Sequence, residues 1–309
     1  MQERKTVDII EVGPRDGFQN LCDYLPAERK IYYIEQMIAA GLKHLQITSF
    51  VSPKAIPQMK DAAEVGRTII ERHPGLDLFA LVPNFRGAQN AYEVGFRKVN
   101  TVISLSKSHN MANVRKTHDQ SFDDLKIMFD QLTDMEVVLD VATAFGCPFE
   151  GKQRSAQAVV DFCGRAHDIG VKTFNLCDTV GQSDPAQVAE FVKAVKNAFP
   201  DSRLEIHIHD TRGMGIASSL QGWYAGADGI QSTLGGLGGC PFAPGASGNT
   251  ATEDLVFMFQ EMGIDTGISF DKILQVAKEE HKEIKGSFSG ANILVAHTIN
   301  DLLPLPETK

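Results

Sequence analysis

Short β-rich runs alternate with longer stretches of helically spaced apolar residues along most of this 309-residue chain. Runs at 7–13, 44–50, 77–83, 98–104, 137–144, 173–178, 204–209 and 229–234 predict eight strands. Between them, stretches at 26–40, 62–72, 85–94, 122–133, 156–168, 185–198 and 216–225 carry the spacing of amphipathic helices. Three further helices, 252–262, 270–282 and 291–302, are expected after the last strand.

Punctuation agrees with the periodicity. Gly41, Gly95, Gly170 and Gly226 fall where helices need a left-handed C-terminal residue, and Ser121, Ser155 and Asp184 fall at expected N-caps. Eight strands, each followed by a helix, close most naturally into a TIM (β/α)8 barrel. An open doubly wound sheet would show a glycine fingerprint after the first strand, whereas Gly13-Pro-Arg-Asp-Gly17 is none. With no Pro/Ser-rich linker, residues 1–309 are expected to be one catalytic domain, the barrel at about 7–264 and C-terminal helices at about 265–309.

Composition narrows the function classes. A formal charge of -9 with no clustered Lys/Arg run argues against a nucleic-acid partner. It leaves room for an anionic ligand, because a few cations at a barrel mouth set a local field. The five cysteines are scattered and read as reduced thiols. No apolar run approaches the roughly 18 residues of a spanning helix, so no membrane partner is expected and the expected compartment is the cytoplasm.

Three segments carry candidate chemistry. In His207-Ile208-His209-Asp210, at the end of the seventh strand, side chains two apart share a face, so both imidazoles can converge on one ion. Packing and capping are the alternatives. Arg15-Asp16-Gly17 follows the first strand, at the face where active sites of this fold gather, and offers a carboxylate and a fixed cation; otherwise it is a surface turn. The glycine-rich stretch after the eighth strand carries Cys240 and leads to Asn249, which either caps the next helix or offers its carbonyl to an ion. Asp16, His207, His209 and Asn249 belong to strands one, seven and eight, neighbours once a barrel closes. By ligand type, two nitrogens and two oxygens suit manganese, iron or zinc.

The motifs Glu11-Val-Gly-Pro-Arg-Asp-Gly-Phe-Gln-Asn20, Thr48-Ser-Phe-Val-Ser-Pro-Lys54, Pro57-Gln-Met59, Gly146-Cys-Pro-Phe-Glu-Gly-Lys152, the His207 motif and the glycine-rich stretch resemble the hydroxymethylglutaryl-CoA lyase family, over nearly the whole chain. The resemblance implies a TIM barrel that binds Mg2+ or Mn2+ through Asp16, His207, His209 and Asn249. It implies an acyl-CoA substrate, catalytic roles for Arg15 and Cys240, proton transfer at Asp16 beside His207, and a homodimer. Ser49, Asn113 and Thr179 are implied to line the pocket. The expected reaction is a retro-Claisen cleavage of a 3-hydroxyacyl-CoA, with 3-hydroxy-3-methylglutaryl-CoA giving acetyl-CoA and acetoacetate. Related synthases that condense acetyl-CoA with a 2-oxo acid, and a metal-binding barrel without catalysis, are the alternatives. One position departs from the family: its glutamate near the end of strand two is Gln46 here, and Asn175, Cys177, Arg212 and Met214 differ as well. An amide neither exchanges a proton nor carries charge, which implies a substrate-binding site adapted to a different 3-hydroxyacyl group.

Overall fold

The computed structural model of the chain describes residues 4–239 and 248–295. Among them, eight parallel strands form a closed barrel: β1 (Asp8–Glu11), β2 (His44–Ser49), β3 (Asp77–Leu81), β4 (Lys98–Ser104), β5 (Glu136–Ala142), β6 (Thr173–Cys177), β7 (Arg203–His207) and β8 (Gly229–Ser232). Each strand pairs with the next in chain order, and β8 pairs back onto β1, with Ile9 opposite Ile230. The chain is therefore a TIM barrel, as expected. A two-stranded antiparallel hairpin, Gly146–Cys147 with Gly151–Lys152, sits beyond β5.

The helices are α1 (Gly13–Asp16), α2 (Ala27–Ala39), α3 (Ala62–Arg72), α4 (Phe85–Val94), α5 (Lys107–Val114), α6 (His118–Gln131), α7 (Ala156–Ile169), α8 (Pro185–Ala198), α9 (Gly215–Ala225), α10 (Thr252–Glu261) and α11 (Phe270–Glu283). Their spacing explains their seats: α2 buries Ala27, Lys30, Tyr33, Ile34 and Met37, one stripe of a 3.6-residue period. The buried Lys30 is matched by Asp61, 2.7 Å away. Among the described residues, no helix is long and apolar enough to cross a membrane.

Ser155 and Asp184 cap α7 and α8, and the four glycines singled out in the sequence all have positive φ. Ser121 does not cap α6, which starts four residues earlier than expected because Thr117 and Gln120 form a reciprocal capping box. Ser121 is instead buried and accepts a hydrogen bond from Asn110. Helix α5 was not expected: it has little apolar periodicity and is started by Ser106, which accepts from the His109 amide. In 291–302 the structure shows only a short 3-10 turn, Asn292–Leu294, with Val295 extended, and the remainder lies outside the described residues.

Most of the buried apolar side chains form one continuous layer between strands and helices. Inside the barrel, Ile10, Val12 and Phe79 form a small separate plug. Alternate positions on β4 to β7 bring Val102, Asp140, Ala142, Asn175, Cys177 and His207 to a cavity at the C-terminal end of the strands, an interior far more polar than the branched aliphatic filling usual for this fold.

Candidate active site

Strand β1 ends at Glu11, and the chain turns at once into α1, whose Pro14 supplies a preset φ in the first turn. The Gly13 amide donates to Glu11 Oε1 at 2.7 Å, so close that a Cβ on Gly13 would stand 2.6 Å from that oxygen. This one-turn helix is buried, not a surface turn, and it presents Arg15 and Asp16 to the barrel mouth. Arg15 Nη1 donates to Asp16 Oδ1 at 2.5 Å, and Gln19 donates to the same oxygen at 3.1 Å.

Across the mouth, His207 ends β7 and His209 follows it. Their Nε2 atoms lie 3.1 Å apart, and His207 Nε2 is 3.9 Å from Asp16 Oδ2. The donor atoms of Asp16, His207 and His209 all lie within 4.8 Å of one another, the single such group of buried metal-type ligands among the described residues. Asn249 is set beside His209 by a backbone bridge, and its Nδ2 donates to Asp16 Oδ2 at 2.9 Å and to the Leu237 carbonyl at 3.1 Å. Asn249 is therefore not the cap of α10, whose N-cap is Ala251. Gly238 (φ +151°) is required here, because a Cβ would come within 2.3 Å of Asn249 Nδ2.

Charge and burial suit the cluster to a cation. Burial pushes the Asp16 carboxyl up, but the fixed charge of Arg15, the two imidazoles and the Asn249 amide together outweigh it and hold the group below the usual carboxylate range. Burial presses both imidazoles down, His207 further through its neighbour His209, so both rings are neutral near pH 7 with lone pairs available. The Nδ1 atoms of both rings and Asn249 Oδ1 are buried without hydrogen-bond partners. Two neutral imidazoles, an ionised carboxylate and an unused amide carbonyl fit a divalent metal ion.

The cluster opens into a cavity of about 420 Å³, and Arg15, Asp16, Asn113 and Thr179 line it as the sequence suggested. Gln46 lies beneath and accepts a hydrogen bond from Arg15 Nε. Ser49 does not reach this cavity; it lines another, with Met59 and Arg67. Cys240 lies outside the described residues. Sequence reasoning missed Asp140 and Gln231, which also line the cavity. The signal was slight: Asp140 is the lone polar residue of Val138–Ala142, and Gln231 stands in the segment Gly229–Thr233 beside Ser232 and Thr233, with no alternation to mark it.

Fold and site together define an α/β barrel with a candidate metal centre where its strands finish. The HMGL-like family model matches residues 6–279. Hydroxymethylglutaryl-CoA lyase YngG of Bacillus subtilis is 40% identical over 276 residues, covering 89% of this chain and 92% of that one. The (R)-citramalyl-CoA lyase of Chloroflexus aurantiacus is 38% identical over 284 residues, covering 87% of this chain and 88% of that one. A solved HMG-CoA lyase from Acinetobacter baumannii, in complex with coenzyme A and 3-methylmalate, matches with a TM-score of 0.92 at 38% identity, covering 99% of this chain and 100% of that one. This chain belongs to the HMGL-like family.

Proposed function

We propose that the chain is a carbon–carbon lyase that uses Mg2+ or Mn2+ to cleave 3-hydroxyacyl-CoA thioesters between C2 and C3, 3-hydroxy-3-methylglutaryl-CoA among them. The observation that carries this reading is the convergence of Asp16, His207 and His209 beside Arg15 at the mouth of one cavity. Asp16, His207, His209 and the Asn249 carbonyl would hold the ion, which when bound acidifies the 3-hydroxyl.

Retro-Claisen cleavage needs that hydroxyl proton removed, the C2–C3 electron pair accepted by the thioester carbonyl, and the resulting enolate carbon protonated. Asp16, ionised at neutral pH, is placed as the proton acceptor. Arg15 spends Nε on Gln46 and Nη1 on Asp16, while its Nη2 makes no hydrogen bond among the described residues and is available to the enolate oxygen. Cys240 is the proposed proton donor to carbon, a role taken from the family resemblance. With this substrate the products are acetyl-CoA and acetoacetate.

The test is to incubate the purified protein with 3-hydroxy-3-methylglutaryl-CoA and Mg2+ or Mn2+. Acetoacetate and acetyl-CoA should form in equal amounts, and chelator should stop their formation. Release of free CoA only from acetyl-CoA plus a 2-oxo acid would make the protein a synthase, and no turnover of any thioester would leave a metal-binding barrel without catalysis.

A further inference from the structure

The floor of the active-site cavity, on β5 and β6, is built by buried polar side chains that the cleavage step does not use. Asp140 on β5 and Asn175 on β6 both line the cavity, and both are almost wholly buried. Asn100 donates its amide to Asp140 Oδ1 at 2.7 Å, and Asn175 donates to the same oxygen at 2.9 Å. A carboxylate oxygen that receives two amide groups fixes both amides with their carbonyls turned away. Asn175 Oδ1 is accordingly buried without a partner, and Asp140 Oδ2 accepts nothing from the described residues.

The amide donors on the neighbouring strands β6 and β8 are committed. The second hydrogen of the Asn175 amide faces Cys177 Sγ at 3.3 Å, Gln231 donates to Glu205 at 3.0 Å, and Arg15 spends Nε on Gln46 and Nη1 on Asp16, its Nη2 being assigned above to the enolate oxygen. Asp140 Oδ2 and the buried Asn175 Oδ1 thus stand as adjacent acceptors that no protein donor among the described residues meets. Burying an acceptor without a donor is costly, so whatever displaces water from this floor must bring one. A carboxylate brings only further acceptors, and an alkyl end brings nothing.

We infer that Asp140 and Asn175 select the acyl group, favouring a thioester whose chain carries a hydrogen-bond donor, a hydroxyl or an ammonium, at the end remote from CoA. The inference rests on the lyase reading above and names the substrate class for the same cavity. Burial pushes the Asp140 carboxyl up to about 6, against the pull of Asn175, Arg15 and Asn100, so it is mostly ionised above pH 7 and acts there as an acceptor.

Four CoA thioesters with one carbon skeleton separate the cases: those of 3-hydroxy-3-methylpentanoate, 3,5-dihydroxy-3-methylpentanoate, 5-amino-3-hydroxy-3-methylpentanoate and 3-hydroxy-3-methylglutarate. At pH 7.5 the wild-type protein should cleave at least one donor-ended thioester with kcat/KM about tenfold or more above the methyl-ended and carboxylate-ended ones. Whichever of the two donor-ended thioesters leads identifies the class. In Asp140→Ala the ratio of donor-ended to methyl-ended kcat/KM should collapse toward one, and in Asn175→Ala it should fall part of the way.

Equal or better cleavage of the methyl- or carboxylate-ended thioester by wild type overturns the inference while leaving the lyase reading intact. So does a loss in Asp140→Ala that is the same factor for every thioester. If none of the four is cleaved, both readings fall. The wild-type ranking decides the matter even where a variant does not fold.

Discussion

Gln46 holds Arg15 by a neutral amide, and its own Nε2 is buried with no partner. A carboxylate in its place would hold the guanidinium by a charge-assisted bond and would remove the orphaned donor. A more firmly oriented Arg15 keeps its unused Nη2 aimed at the developing enolate, an interaction realised mainly in the transition state. Gln46→Glu should therefore raise kcat on 3-hydroxy-3-methylglutaryl-CoA by about tenfold with little change in KM. Steady-state kinetics check this, and an unchanged or lower kcat would show that the Arg15 contact at position 46 does not limit the reaction. At this scale the sequence was informative wherever a motif was compact. His207 and His209, two apart on a strand, had to share a face, while Ser49, assigned by resemblance alone, turns to a different cavity. Asp140 escaped notice because a lone aspartate in the run Val-Val-Leu-Asp-Val-Ala carries no motif, and only barrel closure shows that it points inward.

At the scale of elements, the junction of β1, β8 and α10 is held by buried carboxyls. Glu11 accepts from the Gly13 and Leu234 amides and from Thr252, and Glu253 accepts from the Gly235 amide. Glu280 of α11 faces both, and its Oε2 has no partner. Burial above all, with the charge of neighbouring Asp254 added, raises Glu253 from 4.5 to about 8, and burial raises Glu11 to about 7. The folded chain then binds more protons than the unfolded chain between the two values. Stability is greatest below the unfolded value and falls as pH rises through the folded one. Glu253→Gln stays neutral at every pH and keeps an acceptor for Gly235. Between pH 6 and pH 9 the wild-type Tm should fall by roughly 5 °C more than that of the variant, Glu11 leaving a residual slope in both. Parallel Tm curves would mean that Glu253 is already ionised in the fold. The elements themselves were largely legible: the eight strand positions and most helices follow from periodicity and caps. The exceptions are α1 and α5, too short or too polar to show a period, and the start of α6, where Thr117 and Gln120 outcompete Ser121.

For the molecule as a whole, the candidate metal site lies where the barrel closes. Asp16 follows β1, the histidines end β7, and Asn249 returns after β8, so the side chains come from three neighbouring strands that include the first and the last. The unfolded chain keeps these residues far apart and presents no site. A cation bound here therefore stabilises only the closed barrel, by an amount set by its concentration relative to Kd. At a hundredfold excess over Kd the gain is about 2.7 kcal/mol, or about 4 °C in Tm for a chain of this length. Mn2+ or Mg2+ should raise Tm by that amount, and chelator should reverse it. His209→Ala removes one ligand and relieves the close approach of two buried rings, so its metal-free Tm should stay near that of wild type while the metal-induced shift is largely lost. A variant that kept the full shift would place the stabilising cation elsewhere on the protein. A wild type with no shift, measured at metal concentrations that support turnover, would mean that the closing strands are held by their own packing and that the cation contributes to chemistry alone.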